Sequence, residues 1–278
     1  ASATAIYGSR GSNGVIIITT KKGRKNQKLQ VSYNGSVSAS IIKKYTDVLS
    51  GDEYRTLVGN LYGTDSGRYG LLGTANTDWQ KQIYQTGISH DHNVTLSGGF
   101  KNMPYRVSLG YTGQEGILKT SEFKRFTTSI NLNPTFLDDH LKVNINGKFM
   151  YAHNNYADTG AIGEAVNFDP TQPVYSNDSK YDQFNHYWQW TEPSSIDPAW
   201  PWGKIALAGS NPLSVLNAND DRANSFDYQG NVELDYQIHG FEDLRIHMNF
   251  SGDWANGKQK TNIAPWGVQS RDGSPIFY

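Results

Sequence analysis

The side chains best equipped for recognition chemistry lie in one stretch, "HYWQWTEPSSIDPAWPWG", which carries Tyr187, Trp188, Trp190, Trp200 and Trp202. Indole and phenol faces stack on sugar rings or pack into a protein surface, and each brings a polar N–H or O–H to a large apolar area. Three roles are open to these five residues: folding the segment onto itself, meeting a partner protein, or touching a solute. Elsewhere the signals are weaker. His90 and His92 flank Asp91, so two imidazoles converge with no visible third ligand, and no metal site is assigned there. Asp178 with Asp182, or Asn219 with Asp220 and Asp221, offer oxygens to Ca2+ without the spacing of an EF-hand. Calcium in the loops therefore stays open, and no other cofactor is expected. The acids and histidines are scattered with no Ser/His/Asp set or carboxylate pair, so the chain is not expected to be an enzyme.

Gly8, Gly11 and Gly14 are spaced like a phosphate cradle. A cradle, however, follows a strand and opens a helix. Here residues 1–7 read as the end of a helix capped by Gly8, and Gly14 leads into a strand over 15–20, so the order is reversed. Nucleotide binding is not expected.

The elements that must hold these residues are strands. Of 278 residues only 18% are charged and 13% are aromatic, and 28 are Gly, a mixture suited to strands and tight turns. A net charge of −1 provides no overall field for nucleic acid. With no Cys, a disulfide scaffold is excluded. No apolar run approaches the roughly 18 to 20 residues of a spanning helix, which says nothing against a membrane barrel, whose strands alternate in hydropathy.

Seven segments alternate, each keeping its apolar set on one parity. They run through Val31–Ala39, Val94–Phe100, Tyr105–Tyr111, Phe126–Leu132, Leu141–Tyr151, Tyr228–Ile238 and Leu244–Trp254. The fifth is the cleanest, with Leu141, Val143, Ile145, Phe149 and Tyr151 opposed to Lys142, Asn144, Asn146 and Lys148. Most match the ~9–11 residues a tilted strand needs to cross a bilayer. Tight turns near 101–103, 138–139 and 239–241 alternate with long connections over 40–90 and 154–222, which sorts short links to one rim and long ones to the other. A soluble sandwich has no reason to sort its loops by length; an outer-membrane barrel does. The fold class expected is all-β, an antiparallel meander forming part of a transmembrane barrel. The alternative is a soluble β-sandwich that binds carbohydrate through its tryptophans.

In the barrel reading Phe100, Tyr105 and Phe136 border the short turns, while Tyr111, Phe126, Tyr151, Tyr228 and Trp254 border the long loops, as two interfacial girdles. Arg106, Lys142, Lys148, Glu233, Asp235, Arg245 and Asp253 take the opposite parity and would line the lumen or hold whatever fills it. In the first long loop, Ser50 and Glu53 form a capping-box pattern ahead of Leu57, Val58 and Leu61, an apolar side expected to pack on the barrel rim.

The run "AIYGSRGSNGVIIITTKKG", with Gly8, Arg10, Gly11, Asn13 and Gly14, resembles the end of the plug domain in SusC/RagA-type TonB-dependent transporters of Bacteroidetes. "NTDW" at 76–79, "NVTLSGG" at 93–99, "QEGI" at 114–117 and "FKRF" at 123–126 resemble that family's early barrel in order and spacing. The resemblance implies that residues 1–24 are a plug end and 25–278 the first part of a barrel of about 22 strands. The earlier plug, its TonB box and the later strands would then lie outside this chain, leaving an open sheet. It also implies an outer-membrane location, import of glycan or peptide oligomers, a SusD-like lipoprotein as lid, and TonB as the source of pull.

Overall fold

The computed structural model describes residues 21, 23–198 and 200–267 together with the strand Ile276–Phe277. The glycine-rich stretch through Gly8, Arg10, Gly11, Asn13 and Gly14 lies outside the described residues. The main sheet is built from β1 (Gln30–Ser40), β2 (Gly87–Phe100), β3 (Met103–Glu115), β4 (Glu122–Leu132), a two-residue β5 (Thr135–Phe136) and β6 (Leu141–Tyr156). A separate hairpin, β7 (Thr191–Asp197) and β8 (Trp200–Lys204), precedes β9 (Asn219–Gln237), β10 (Arg245–Ile263) and β11 (Ile276–Phe277). The order β1-β2-β3-β4-β6-β9-β10-β11 is an antiparallel meander with open ends, and β5 pairs only with β6.

All seven alternating segments are neighbours in this sheet, in sequence order. Their apolar parity stays on one face because the register pairs like with like: Leu96 with Val107, Val107 with Ile130, Ile145 with Val232, and Val232 with Phe250. That face is uncovered. Val31, Val37, Leu109, Ile130, Val232, Phe250 and Trp254 are all exposed. A sandwich would bury these residues against a second sheet, so the sandwich alternative is overturned.

The polar parity lines the hollows of the sheet, in rows read straight from the register. One row runs Ser97, Arg106, Asn131, Asn146, Asn231 and Ser251. Its amides bridge strands: Asn131 donates to Asn146, Asn146 to Asn231, and Asn231 to Asn249. Hydrogen-bonded amide ladders satisfy most of the donors on a half-buried polar face, although Asn131 Oδ1 stays buried without a partner.

The strands extend further than alternation indicates. β6 runs to Tyr156 and β9 starts at Asn219, so the long connections cover 41–86 and 157–218. Ladder hydrogen bonding needs no apolar parity where both faces are polar, as in the "NDDRANS" start of β9. The chain enters the sheet through a strap at 23–27, where the Gly99 amide donates to Gln27 O at 2.9 Å. A Cβ on Gly99 would stand 2.1 Å from Arg24 O, so only glycine admits the strap. Lys25 then reaches Asp139 in the β5–β6 turn at 2.5 Å.

Candidate functional site

The two long connections do not lie loose: they fold into one cap together with the β3–β4 turn. Four helices form in them, α1 (Gly51–Tyr62), α2 (Trp79–Ile83), α3 (Gly160–Asn167) and α4 (Pro212–Ala218). Local chemistry starts each of three. Ser50 and Glu53 close the capping box on α1, with the Ser50 amide donating to Glu53 Oε2 at 2.8 Å. That bond and the Ser50 hydroxyl hold the Glu53 carboxyl below its ordinary range. Asp78 caps α2 and Asn211 caps α4, where Pro212 occupies the first turn.

Val58 of α1 is buried, but Leu57 and Leu61 are exposed, so among the described residues the apolar side of the helix is not packed on the sheet's rim. The helix leans instead on the loop itself: a Cβ at Gly51 would be 2.8 Å from Ala75 O and 2.9 Å from Pro170 O. Ala75 donates to Thr171 O and Thr77 to Pro170 O, both at 2.9 Å, and Gly73 donates to Thr171 Oγ1 at 2.9 Å.

Between the helices lies a core of Trp79, Ile83, Leu118, Ala161, Ala165, Phe168, Val215 and Leu216. Trp79 Nε1 donates to Asp169 O at 2.9 Å, and its ring meets Phe168 edge-on at 4.9 Å. The aromatic chain continues from Phe168 to Trp188 at 5.9 Å and from Trp188 to Trp190 at 4.9 Å, both edge-on. Tyr187 is buried beside Tyr175 and stacked on Trp266 at 5.6 Å, and its hydroxyl accepts from Asn217 at 2.7 Å. Burial pushes the Tyr187 phenol up to about 12. Of the five aromatic candidates, then, Tyr187, Trp188 and Trp190 are drawn into the cap. Trp200 and Trp202 stand apart on the β7–β8 hairpin, tied down where Gln183 bonds the Trp202 backbone.

Asn211 and Gln189 are fully buried, and the sequence reading passed over both. Asn211 Oδ1 accepts from the Leu213 and Ser214 amides, while its Nδ2 donates to Val174 O at 2.9 Å and Trp188 O at 3.1 Å. Gln189 accepts from the Asn211 amide and donates to Gly209 O. Asn before Pro is a helix-start signal; the cross-loop partners have no sequence signal.

Outside this core the cap holds a hollow of about 1160 Å3 lined by Tyr45, Glu53, Tyr54, Asp78, Trp190 and Leu207 among others. On the sheet's polar face, Lys148 and Asp253 border a hollow of about 640 Å3 with Gln229 between them in register. Lys142, Glu233, Asp235 and Arg245 border another of about 350 Å3 near the short turns. Arg245 lies 3.5 Å from Asp235, and His247 bridges towards Glu233 and Asp235. Arg106 stands away from both groups, opposite Ser97 and Asn131.

The carboxylates considered for calcium have protein partners: Asp178 caps the 179–184 turn, Asp182 faces His186, Asp220 pairs with Arg222, and Asp221 accepts from Gln259 and Thr261, while Asn219 Oδ1 is buried without a hydrogen bond. His92 accepts or donates a 2.7 Å bond with Tyr33. Among the described residues no three His, Asp or Glu side chains gather as a metal cluster.

No protein-family model matches the chain. The TonB-dependent receptor SusC of Bacteroides thetaiotaomicron is 55% identical to it over 269 residues, which is 96% of this chain and 27% of that receptor. The chain belongs to the SusC-type TonB-dependent receptors. A TonB-dependent receptor of Formosa agariphila is 30% identical over 93% of the chain and 25% of its own length. The chain thus spans about a quarter of the curated relatives it matches. Among solved structures, the RagAB peptide importer matches in its closed-closed state with a TM-score of 0.63 and in its open-open state with 0.64, covering 96% and 95% of the chain at 19% and 20% identity. These likenesses show the fold: the meander is part of a SusC-type barrel wall, whose place is the outer membrane. The relatives are named as receptors and an importer, not as enzymes.

Proposed function

We propose that the whole receptor imports oligosaccharides or peptides across the outer membrane, and that this chain supplies part of its wall and of its outer cap. The observation that carries the reading is the exposed apolar face of a sheet whose long loops gather at one rim, in a chain 55% identical to SusC. In this reading residues 1–24 end the plug and 25–278 begin the barrel. A SusD-like lipoprotein closes over the cap from outside, and TonB pulls on the plug from within. No bond in the solute is made or broken, and no resident cofactor is required.

The residues divide accordingly. Trp188, Trp190 and Tyr187 keep the cap in shape, and Trp200 and Trp202, on the separate hairpin, meet the lid or the solute. Lys142, Glu233, Asp235 and Arg245 hold the plug near the short turns, while Arg106, Lys148 and Asp253 line the path beside it. The test is deletion of the full-length gene followed by uptake of labelled oligosaccharides and peptides. Loss of uptake of one class is expected. Unchanged uptake of every solute would sink the proposal.

A further inference from the structure

The cap is open on one side, above the end of β1. After Ser40 the chain runs irregularly to the start of α1, and among the described residues the backbone of 43–49 is hydrogen-bonded only at Thr46. There the Thr46 amide donates to Gln80 Oε1 at 2.9 Å, and Gln80 Nε2 donates back to Thr46 O at 2.8 Å. Val48 and Leu49 of this run are exposed, as is Leu71 further along the same connection and Leu207 on the other. All four border the hollow of about 1160 Å3, and Leu207 is fully exposed. Single exposed aliphatics need no explanation, but four gathered around one hollow mark a surface that packs against something.

The sheet dictates what stands beside this opening. β1 heads the strand order, and among the described residues its second edge is unpaired along Gln30–Ser40. Lipid cannot satisfy those amides and carbonyls, so the wall closes only when a further strand pairs with β1. Neighbours in such a wall are antiparallel. β1 climbs from the short-turn rim, where Gln30 pairs with Ser97, to the long-loop rim, where Ser40 pairs with Gly87. The strand that closes on it therefore descends from the long-loop rim, and the connection feeding that strand emerges beside Ser40, next to 43–49. The chain spans 27% of SusC, which leaves length for both. The connection after β10 already behaves in this way: it turns back onto the cap, where the Ala264 amide donates to Ala218 O at 2.9 Å and Trp266 stacks on Tyr187.

We propose that the long connection leading into the receptor's final strand docks on the open side of the cap, filling the hollow between Val48, Leu49, Leu71 and Leu207 and hydrogen-bonding the backbone of 43–49. The occupant is a segment of the same receptor, with apolar side chains for the hollow and backbone groups for the irregular run. Closure of the wall delivers it to this spot whether or not a lid or a solute is bound. The proposal rests on the reading of the whole receptor as a closed barrel. First and last loops then lock together, and the cap becomes a ring that closes when the wall does.

The test uses the full-length receptor, purified without a lid protein. Leu207→p-benzoylphenylalanine and Val48→p-benzoylphenylalanine place a photocrosslinker at exposed positions, and mass spectrometry maps the peptide each one captures. Both are expected to capture the connection that precedes the final strand. Capture of any other segment, or no capture from either position, overturns the proposal. Hydrogen exchange of the unaltered receptor separates that outcome from failure of the barrel reading. Amides of 43–49 are expected to exchange at least about 10-fold more slowly than in a free chain. Free-chain exchange there, with the β1 amides on its outer edge slow, overturns the docking alone; free-chain exchange in both overturns the closed wall and the docking together.

Discussion

In the cap, Trp79 is 3% exposed and Ile83 is 0% exposed, while in the wall Phe250 is 61% and Val37 73% exposed, although all four are apolar. The cap obeys the rule of water-soluble proteins, gathering indoles and aliphatics between short helices and starting three of its four α-helices with a side-chain cap. The wall obeys the opposite rule, because its apolar face meets hydrocarbon and its polar face meets water. One chain therefore holds two solvent regimes, divided at the aromatic rows Tyr111, Phe126, Tyr151 and Phe226, which are in register across four strands. The lesson is that exposure carries no meaning until the solvent on that side is known.

The largest expected effect tests the cap as a packed body. Trp79→Ala removes a buried ring and the hydrogen bond to Asp169 O, and is expected to destabilise the cap by about 3–5 kcal/mol. Limited proteolysis of the full-length receptor should then cut within 41–86 or 157–218 while the strands stay protected. Cleavage no faster than in the unaltered receptor would mean that the loops are held by something other than their shared core.

Next in size is a substitution that a water-exposed surface would tolerate. Phe250→Lys, at the centre of the outward apolar stretch of β10, is expected to cost about 2–4 kcal/mol in a bilayer. On a face in water the same change would fall within about 0.5 kcal/mol. Reversible unfolding of the receptor in lipid measures it, and a negligible change breaks the division between wall and cap.

The smallest effect sharpens the comparison through pH. Tyr187 holds its proton to about 12 in the fold, against an ordinary value of 10 in the unfolded chain. Between those values the unfolded state binds fewer protons than the folded one, so the cap should lose stability as pH rises from 10 towards 12. Tyr187→Phe should flatten that slope while losing the bond from Asn217. Hydrogen exchange of cap amides follows both, and an identical slope in the variant would show that another group is titrating.

The candidate site was legible in uneven measure. Ser50 and Glu53 announce the start of α1 because capping chemistry is local, within four residues. The aromatic segment was visible by type, but its division into Tyr187, Trp188 and Trp190 inside and Trp200 and Trp202 on a hairpin was not. The cross-loop partners of Asn211, Gln189, Asp169 and Thr171 were silent, since they lie 20 to 98 residues away along the chain. The apolar side of α1 misled for the same reason: Leu57 and Leu61 look like packing residues until the loop contacts at Gly51 place the helix elsewhere.

From its residues alone the chain determined which side chains share a face of each strand, since alternation with period two holds wherever a strand forms without a bulge. It likewise determined that short turns and long connections fall at opposite rims. Only the tertiary structure decided that two loops separated by about seventy residues of wall close over one core, and that Arg222 stands opposite Lys260. Register between distant strands and contact between distant loops are set by the free energy of the assembled sheet and cap, to which no local pattern has access.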